Sequence, residues 1–187
     1  MEKQMESKTN MPAIQKYGIL LLERHNLADS RLEFTYEFPI DHANNSSNAD
    51  DNIRKFLENN LQFTKDESIN AVIVHKSIDK TGLKWHIDDC QLVNFKNEPT
   101  YNLEQYIYLE GHKYLYFNTP TKTLPKFTIL FYSSTYKEDF DGGLLKLADG
   151  MQIIPKRQCG IIMDSREAHM VTPVTRGVRN VTVVKIY

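Results

Sequence analysis

The sequence predicts a mainly β fold, a sandwich or barrel of short strands with at least one helix flanking it on the N-terminal side. Three observations carry this. From Ala71 onward the chain breaks into short runs rich in β-branched and aromatic residues, separated by turn-forming Gly, Pro, Asn and Asp, which is the pattern of an all-β sandwich or barrel. Leu32, Phe34, Tyr36 and Phe38 alternate with Arg31, Glu33, Thr35 and Glu37, the period of two that marks a half-buried strand. Ile53, Phe56, Leu57 and Leu61 recur at helical spacing and form the clearest amphipathic stripe in the chain.

Composition bounds the class. With 187 residues the prior is one domain, large enough to bury a core without disulfides. Hydrophobic residues make up 41% and charged residues 25%, as in globular proteins, and no apolar run approaches the roughly 18 residues of a membrane helix. No membrane partner is therefore expected. A net charge of −1 argues against a broadly basic surface and so against nucleic acid as a partner. The two cysteines, Cys90 and Cys159, are too few for a disulfide framework, and the polar N-terminus lacks the apolar core of a signal peptide. An intracellular, cytoplasmic location is the expectation, and no sequence feature fixes an oligomeric state. The sequons at Asn45 and Asn180 are read as chance, because glycosylation requires secretion.

In chain order, residues 1 to 11 are polar and aperiodic and are expected to form a loose arm. Lys16 to Arg24, with Ile19-Leu20-Leu21-Leu22, reads as a strand, and Arg31 to Ile40 as a second, ending at Pro39. His42 to Asp51 is Asn/Ser/Asp-rich and should be a loop, with Asp50 or Asp51 capping a helix over residues 51 to 62. Ala71-Val72-Ile73-Val74 starts a strand, followed by a turn at Asp79 to Gly82. Gln105 to Asn118 is expected to be a hairpin turning at Glu110-Gly111, and Thr119 to Pro125 a loop. Further strands are expected at Phe127 to Ser133, Gly142 to Leu147, Met151 to Ile154, Gly160 to Met163 and Asn180 to Tyr187. Residues 1–62 thus form an N-terminal extension packed on a core of residues 63–187, in a single domain.

The chemistry centres on Trp85-His86-Ile87-Asp88-Asp89. On an extended segment His86 and Asp88, two apart, point to the same side and could grip one metal ion, while Asp89 points away. His169 would be the third ligand. Two imidazoles and one carboxylate on one face of an ion, with positions left open opposite, form the facial triad used by non-haem Fe(II) oxygenases. A His-x-Asp pair is short, and the segment after His169 adds the specificity.

From about Ala71 to the C-terminus, the sequence resembles the Fe(II)/2-oxoglutarate-dependent dioxygenases, most closely their prolyl 4-hydroxylase-like branch. The resemblance rests on four pieces in order: His86-Ile87-Asp88; Ile129-Leu130-Phe131-Tyr132; Asp141-Gly142-Gly143-Leu144-Leu145-Lys146-Leu147; and His169-x-Val171-x-Pro173-Val174-x-x-Gly177-x-Arg179. Residues 90–125 form an insertion, and Ser133-Ser134 stands where the family often has Leu-Asn. The resemblance implies a double-stranded β-helix, or jelly roll. It implies an oxidoreductase with His86, Asp88 and His169 as iron ligands, 2-oxoglutarate as cosubstrate, ascorbate as an accessory cofactor, and a C–H bond of a prolyl residue in a peptide or protein as substrate. The intact Asp88 carboxylate favours hydroxylation over halogenation.

Within that resemblance, Arg179 would pair its two-pronged guanidinium with the distal carboxylate of 2-oxoglutarate, and Tyr132 would add a hydroxyl or serve as a core tyrosine. Arg176, in the preceding turn, is the alternative cation and reads as a surface charge. Gly142 and Gly143 would allow a tight turn. Trp85 is assigned a packing role. Tyr101, Tyr106, Tyr108, Tyr114 and Tyr116 could line a substrate groove or form cross-strand pairs. His25, His42, His75 and His112 have no partner at ligand spacing, and Cys90 has no second thiol beside it. Two other functions fit less of the pattern. An oxidative demethylase of nucleic acid would place its arginine farther past the second histidine and add another; a non-catalytic metal-binding jelly roll would have no use for Arg179.

Overall fold

The computed structural model describes residues 31–42, 47–60, 71–88, 90–94, 106–109, 112–118 and 125–187. The loose arm at 1–11, the strand at Lys16 to Arg24, His25, Asp89, Tyr101, the Glu110-Gly111 turn and residues 119–124 lie outside them, as do the side chains of β4 to β6 below, including Cys90, His112 and the tyrosines of that region. Strand β1 is Leu32–Thr35, helix α1 is Ser47–Asn60, and β2 (Ala71–Ile78) and β3 (Leu83–His86) follow. Then come β4 (Cys90–Asn94), β5 (Tyr106–Leu109), β6 (His112–Asn118), β7 (Phe127–Tyr132), β8 (Phe140–Gly142), β9 (Leu145–Leu147) and β10 (Gln152–Ile153). The chain ends with β11 (Cys159–Asp164), β12 (His169–Val171), β13 (Val174–Gly177) and β14 (Arg179–Ile186).

The major sheet runs β1-β11-β7-β14-β2 and the minor one β10-β9-β12-β3, with β8 and β13 paired beside it. Successive core strands switch between the sheets: β2 is in the major sheet, β3 in the minor, β7 back in the major, β9 and β10 in the minor, β11, β12 and β14 alternating again. This winding is the expected double-stranded β-helix, and every pairing between its named strands is antiparallel. The expected hairpin over 105–118 forms as β5 and β6, and β4, which the sequence did not suggest, joins β6 to make a separate three-stranded sheet.

Strand β7 explains the layering. All six of its residues are buried, because both of its faces are covered. Ile129 and Phe131 point outward into a layer with Phe34, Tyr36, Ile53, Leu57 and Val184, so α1 packs on the outer face of the major sheet. Leu130 and Tyr132 point inward between the sheets, against Leu145, Leu147, Ile161, Val171 and Val181. Phe34, Tyr36, Phe56 and Phe131 meet ring to ring at 5.1 to 6.4 Å, within the range of favourable aromatic pairs.

Three boundaries differ from the sequence reading. The expected strand over 31–40 is laddered only at Leu32–Thr35, although Tyr36 and Ile40 stay buried. Its partner β11 begins at Cys159, opposite Thr35, and the chain turns at Gln158 with φ 61°, so the pairing ends there with one last backbone bond from Tyr36 N–H to the Gln158 carbonyl. The helix starts at Ser47, four residues before its expected start, and ends at Asn60. Buried Ala49, Ile53 and Leu57 show the apolar stripe reaching back into the segment that read as a loop. Asp50 accordingly lies in the first turn rather than at the cap, and its carboxylate meets His75 Nε2 at 2.9 Å. Lastly, the stretch Gly142 to Leu147 is two strands, split where Gly142 and Gly143 take positive φ. A Cβ on Gly142 would collide with the Pro173 carbonyl, so the glycine is required both by conformation and by close approach.

Candidate metal centre and pocket

The antiparallel pairing of β12 with β3 sets His169 directly across from His86. Their rings lie 4.2 Å apart between centroids. Asp88 falls two residues past the end of β3, in a turn rather than on the extended segment the spacing suggested, and the turn still brings its carboxylate back to the pair. Among the described residues, His86, Asp88 and His169 form the cluster that could hold a metal ion, with candidate ligand atoms all within 4.8 Å of one another.

Hydrogen bonds prepare each of the three. His86 Nδ1 lies 2.8 Å from the Lys84 carbonyl and His169 Nδ1 2.8 Å from the Glu167 carbonyl. A carbonyl only accepts, so both Nδ1 atoms must carry the proton, and both Nε2 lone pairs are left for a metal. Burial first, and then the His86 ring, depress the His169 pKa to about 4, which keeps this ring neutral and ligating near neutrality. At Asp88, burial works against the charge, but the His169 ring, the Thr128 hydroxyl and the Lys185 ammonium outweigh it and hold the carboxyl below the usual range. Thr128 Oγ1 donates a short hydrogen bond to Asp88 Oδ2, and Lys185 Nζ is 3.4 Å from Oδ1.

The triad opens into a pocket between the sheets, enclosing about 400 Å³ of empty space that extends into solvent. Its walls are apolar, built from Ile78, Leu83, Leu130, Leu145, Val171, Val181 and Val183. Arg179, the first residue of β14, lies at the pocket and is 2% exposed. Its guanidinium sits over the Tyr132 ring, 5.3 Å from the centroid, a cation–π contact. Among the described residues, Arg179 Nε and the Tyr132 hydroxyl, both buried, have no well-aligned hydrogen-bond partner. Burial lowers the Arg179 pKa and raises that of Tyr132; a guanidinium nevertheless keeps its charge in proteins. A buried, incompletely satisfied cation beside an apolar pocket is costly unless an anion meets it.

Arg176 behaves as a surface charge, exposed and paired with Asp141 at 2.9 Å. Trp85 is half-buried, and its indole N–H has no partner among the described residues. His42 and His75 lie away from the triad: His75 Nδ1 is 2.7 Å from Thr182 Oγ1, its Nε2 holds Asp50 of α1, and His42 contacts Ser133 Oγ at 3.0 Å. Sequence reasoning missed Thr128 and Lys76, which line the pocket, and Lys185, which pairs with Asp88. Thr128 carried a usable signal, since it is the one polar residue in Phe127-Thr128-Ile129-Leu130-Phe131-Tyr132.

No family model and no curated protein matches the sequence. Among solved structures, the chain is similar to a prolyl-4-hydroxylase from Pseudomonas putida, at 14% identity and a TM-score of 0.49 over 100% of this chain and 96% of that one. It is similar to an oxidoreductase of the 2OG-Fe(II) oxygenase family from Burkholderia pseudomallei, at 11% identity and a TM-score of 0.48 over 98% and 92%. A viral collagen prolyl hydroxylase from Paramecium bursaria Chlorella virus-1, solved as its 2OG complex, is similar at 13% identity and a TM-score of 0.46 over 92% and 89%.

Proposed function

We propose that this protein is an Fe(II)- and 2-oxoglutarate-dependent dioxygenase that hydroxylates a C–H bond, with a prolyl residue of a peptide or protein as its substrate. One observation carries the reading: a two-histidine, one-carboxylate cluster and a buried, incompletely satisfied guanidinium share one apolar pocket. The donor set of two imidazole nitrogens and one carboxylate oxygen suits Fe(II) and leaves positions open. The guanidinium suits a carboxylate at the far end of a small ligand. When bound, the iron with its cosubstrate supplies the oxidising chemistry that a side chain cannot.

The chain's own residues would then hold and orient. His86 and His169 present Nε2 because backbone carbonyls hold their Nδ1 protons. Asp88 presents Oδ1 because Thr128 holds Oδ2. Arg179 fixes the distal carboxylate, supported from below by the Tyr132 ring. The aliphatic walls surround these groups with apolar surface, which strengthens each of these electrostatic contacts. The prolyl substrate rests on the sequence resemblance around His169 to Arg179.

The test is anaerobic titration of Fe(II) and then 2-oxoglutarate, followed by the metal-to-ligand absorption band, with mass spectrometry of proline-containing peptides after air is admitted. The expected results are a band in the wild type, none in His86→Ala or His169→Ala, and a gain of one oxygen on proline. Metal binding without any effect of 2-oxoglutarate would refute the oxygenase reading. Succinate formation with no oxidised peptide would refute the substrate alone.

A further inference from the structure

A second cation reaches the same pocket from the neighbouring strand. In the β14–β2 ladder Val181 faces Lys76 and Arg179 faces Ile78, and all four residues line the pocket. Side chains alternate between the faces of a strand, so Lys76 and Arg179 are diagonal neighbours on the inward face, with Lys76 one rung closer to Asp88. Among the described residues the Lys76 ammonium makes no hydrogen bond and no ion pair, yet the side chain is only partly exposed. It lies in the field of Asp88, Lys185 and Arg179. Three cationic side chains thus stand against one carboxylate around this pocket, before any metal adds its own charge. The Lys76 side chain thus lies where like charges already sit, an arrangement that becomes favourable once an anion arrives.

We propose that Lys76 is a second cationic anchor that, with Arg179, binds the distal carboxylate of the cosubstrate and restricts the pocket to 2-oxo acids bearing two negative charges. This rests on the 2-oxoglutarate reading given above. Arg179 supplies directional, two-pronged contacts, and Lys76 supplies a mobile point charge that can follow the carboxylate. Selectivity follows from the pair: a ligand lacking the second carboxylate would leave two cations unmatched in an apolar pocket and gain nothing from either.

The experiment measures binding of 2-oxoglutarate and of 2-oxopentanoate, which has the same carbon chain without the second carboxylate, to anaerobic iron-loaded protein by calorimetry. Lys76→Met is expected to weaken 2-oxoglutarate about 10-fold or more and to leave 2-oxopentanoate unchanged, and Lys76→Arg to restore most of the loss. Retained 2-oxopentanoate binding doubles as proof that the variant's site is folded. Unchanged 2-oxoglutarate affinity in Lys76→Met, or equal losses for both ligands, would overturn the role of Lys76 while leaving the cosubstrate reading intact. A wild type that binds neither ligand would overturn both.

Discussion

Replacing Arg179 by Met separates its role in the fold from its role in binding. In the free protein the guanidinium is 2% exposed, incompletely hydrogen-bonded, and stacked on Tyr132. Its removal forfeits a cation–π contact of about 2 kcal/mol but also relieves the burial of an unmatched charge, and replacing buried charges by apolar groups of similar volume is often neutral or stabilising. Apo stability should therefore change by less than about 1 kcal/mol in either direction, the two contributions opposing each other. Binding should behave differently. A charge-assisted hydrogen-bonded pair is worth about 1.5–3 kcal/mol, so 2-oxoglutarate affinity should fall about 10- to 150-fold. At a ligand concentration 100 times the wild-type Kd, ligand stabilisation is about 2.7 kcal/mol; with a 100-fold weaker Kd it drops to about 0.4 kcal/mol. For a chain of this size that converts a rise in Tm of about 5–10 °C into about 1 °C. Thermal unfolding of iron-loaded protein, with and without 2-oxoglutarate under anaerobic conditions, reads both quantities. Arg176→Ala, which removes an exposed pair with Asp141 and a hydrogen bond to the Lys137 carbonyl, both away from the pocket lining, should leave both unchanged. A variant at Arg179 that 2-oxoglutarate stabilises as fully as the wild type would refute the assignment.

Thr128→Val keeps the side-chain shape but removes the hydroxyl that holds Asp88; metal affinity should fall about 10- to 100-fold, as for other outer contacts to ligating groups, and an unaltered metal titration would show that Asp88 needs no such support. The metal-free protein should lose stability as pH falls. His169, with its pKa depressed to about 4 against 6.5 unfolded, takes up its proton more readily in the unfolded chain, so its contribution is whole above pH 6.5 and drains away between 6.5 and 4. The full span is on the order of 3 kcal/mol, and urea titrations across that window should find the slope reduced in His169→Ala. Leu57→Ala, at a fully buried position between α1 and the major sheet, should cost about 2–5 kcal/mol while leaving metal affinity in the surviving folded protein unchanged; a parallel loss of metal binding would mean that the helix layer and the pocket are coupled.

How much of the site was legible in the sequence follows from what a period of two can and cannot say. The pattern along Phe127 to Tyr132 and along Arg179 to Ile186 marks two strands, and these two came out close to where it put them. It does not say what lies over each face. A lysine among valines in Ala71-Val72-Ile73-Val74-His75-Lys76 reads as a solvent-facing residue, and only the pairing of β2 with β14 reveals that the face in question lines a pocket. Lys185 was hidden for the same reason. His75 read as having no partner at ligand spacing, because Asp50 and Thr182 reach it from distant parts of the chain. The triad and Arg179 were visible because their signal is chemical type at fixed spacing rather than burial.

The two strands that carry most of the site also set its dimensions. On β7, Thr128 holds the metal end and Tyr132 the far end; on β14, Lys185 stands beside Asp88 and Arg179 beside Tyr132. The ladder pairs Thr128 with Lys185 and Val181 with Tyr132, so the metal end and the cation end occupy opposite ends of the same pair of strands. Four residues of strand span about 13 Å, a separation that side chains reaching in from both ends shorten. A slip of one residue in β7 would turn Thr128 and Tyr132 together toward α1 and bring Ile129 and Phe131 inward. The apolar residues that fix the register, Ile129 and Phe131 on one face and Leu130 on the other, therefore also fix the distance between the His86, Asp88 and His169 cluster and the Arg179 guanidinium.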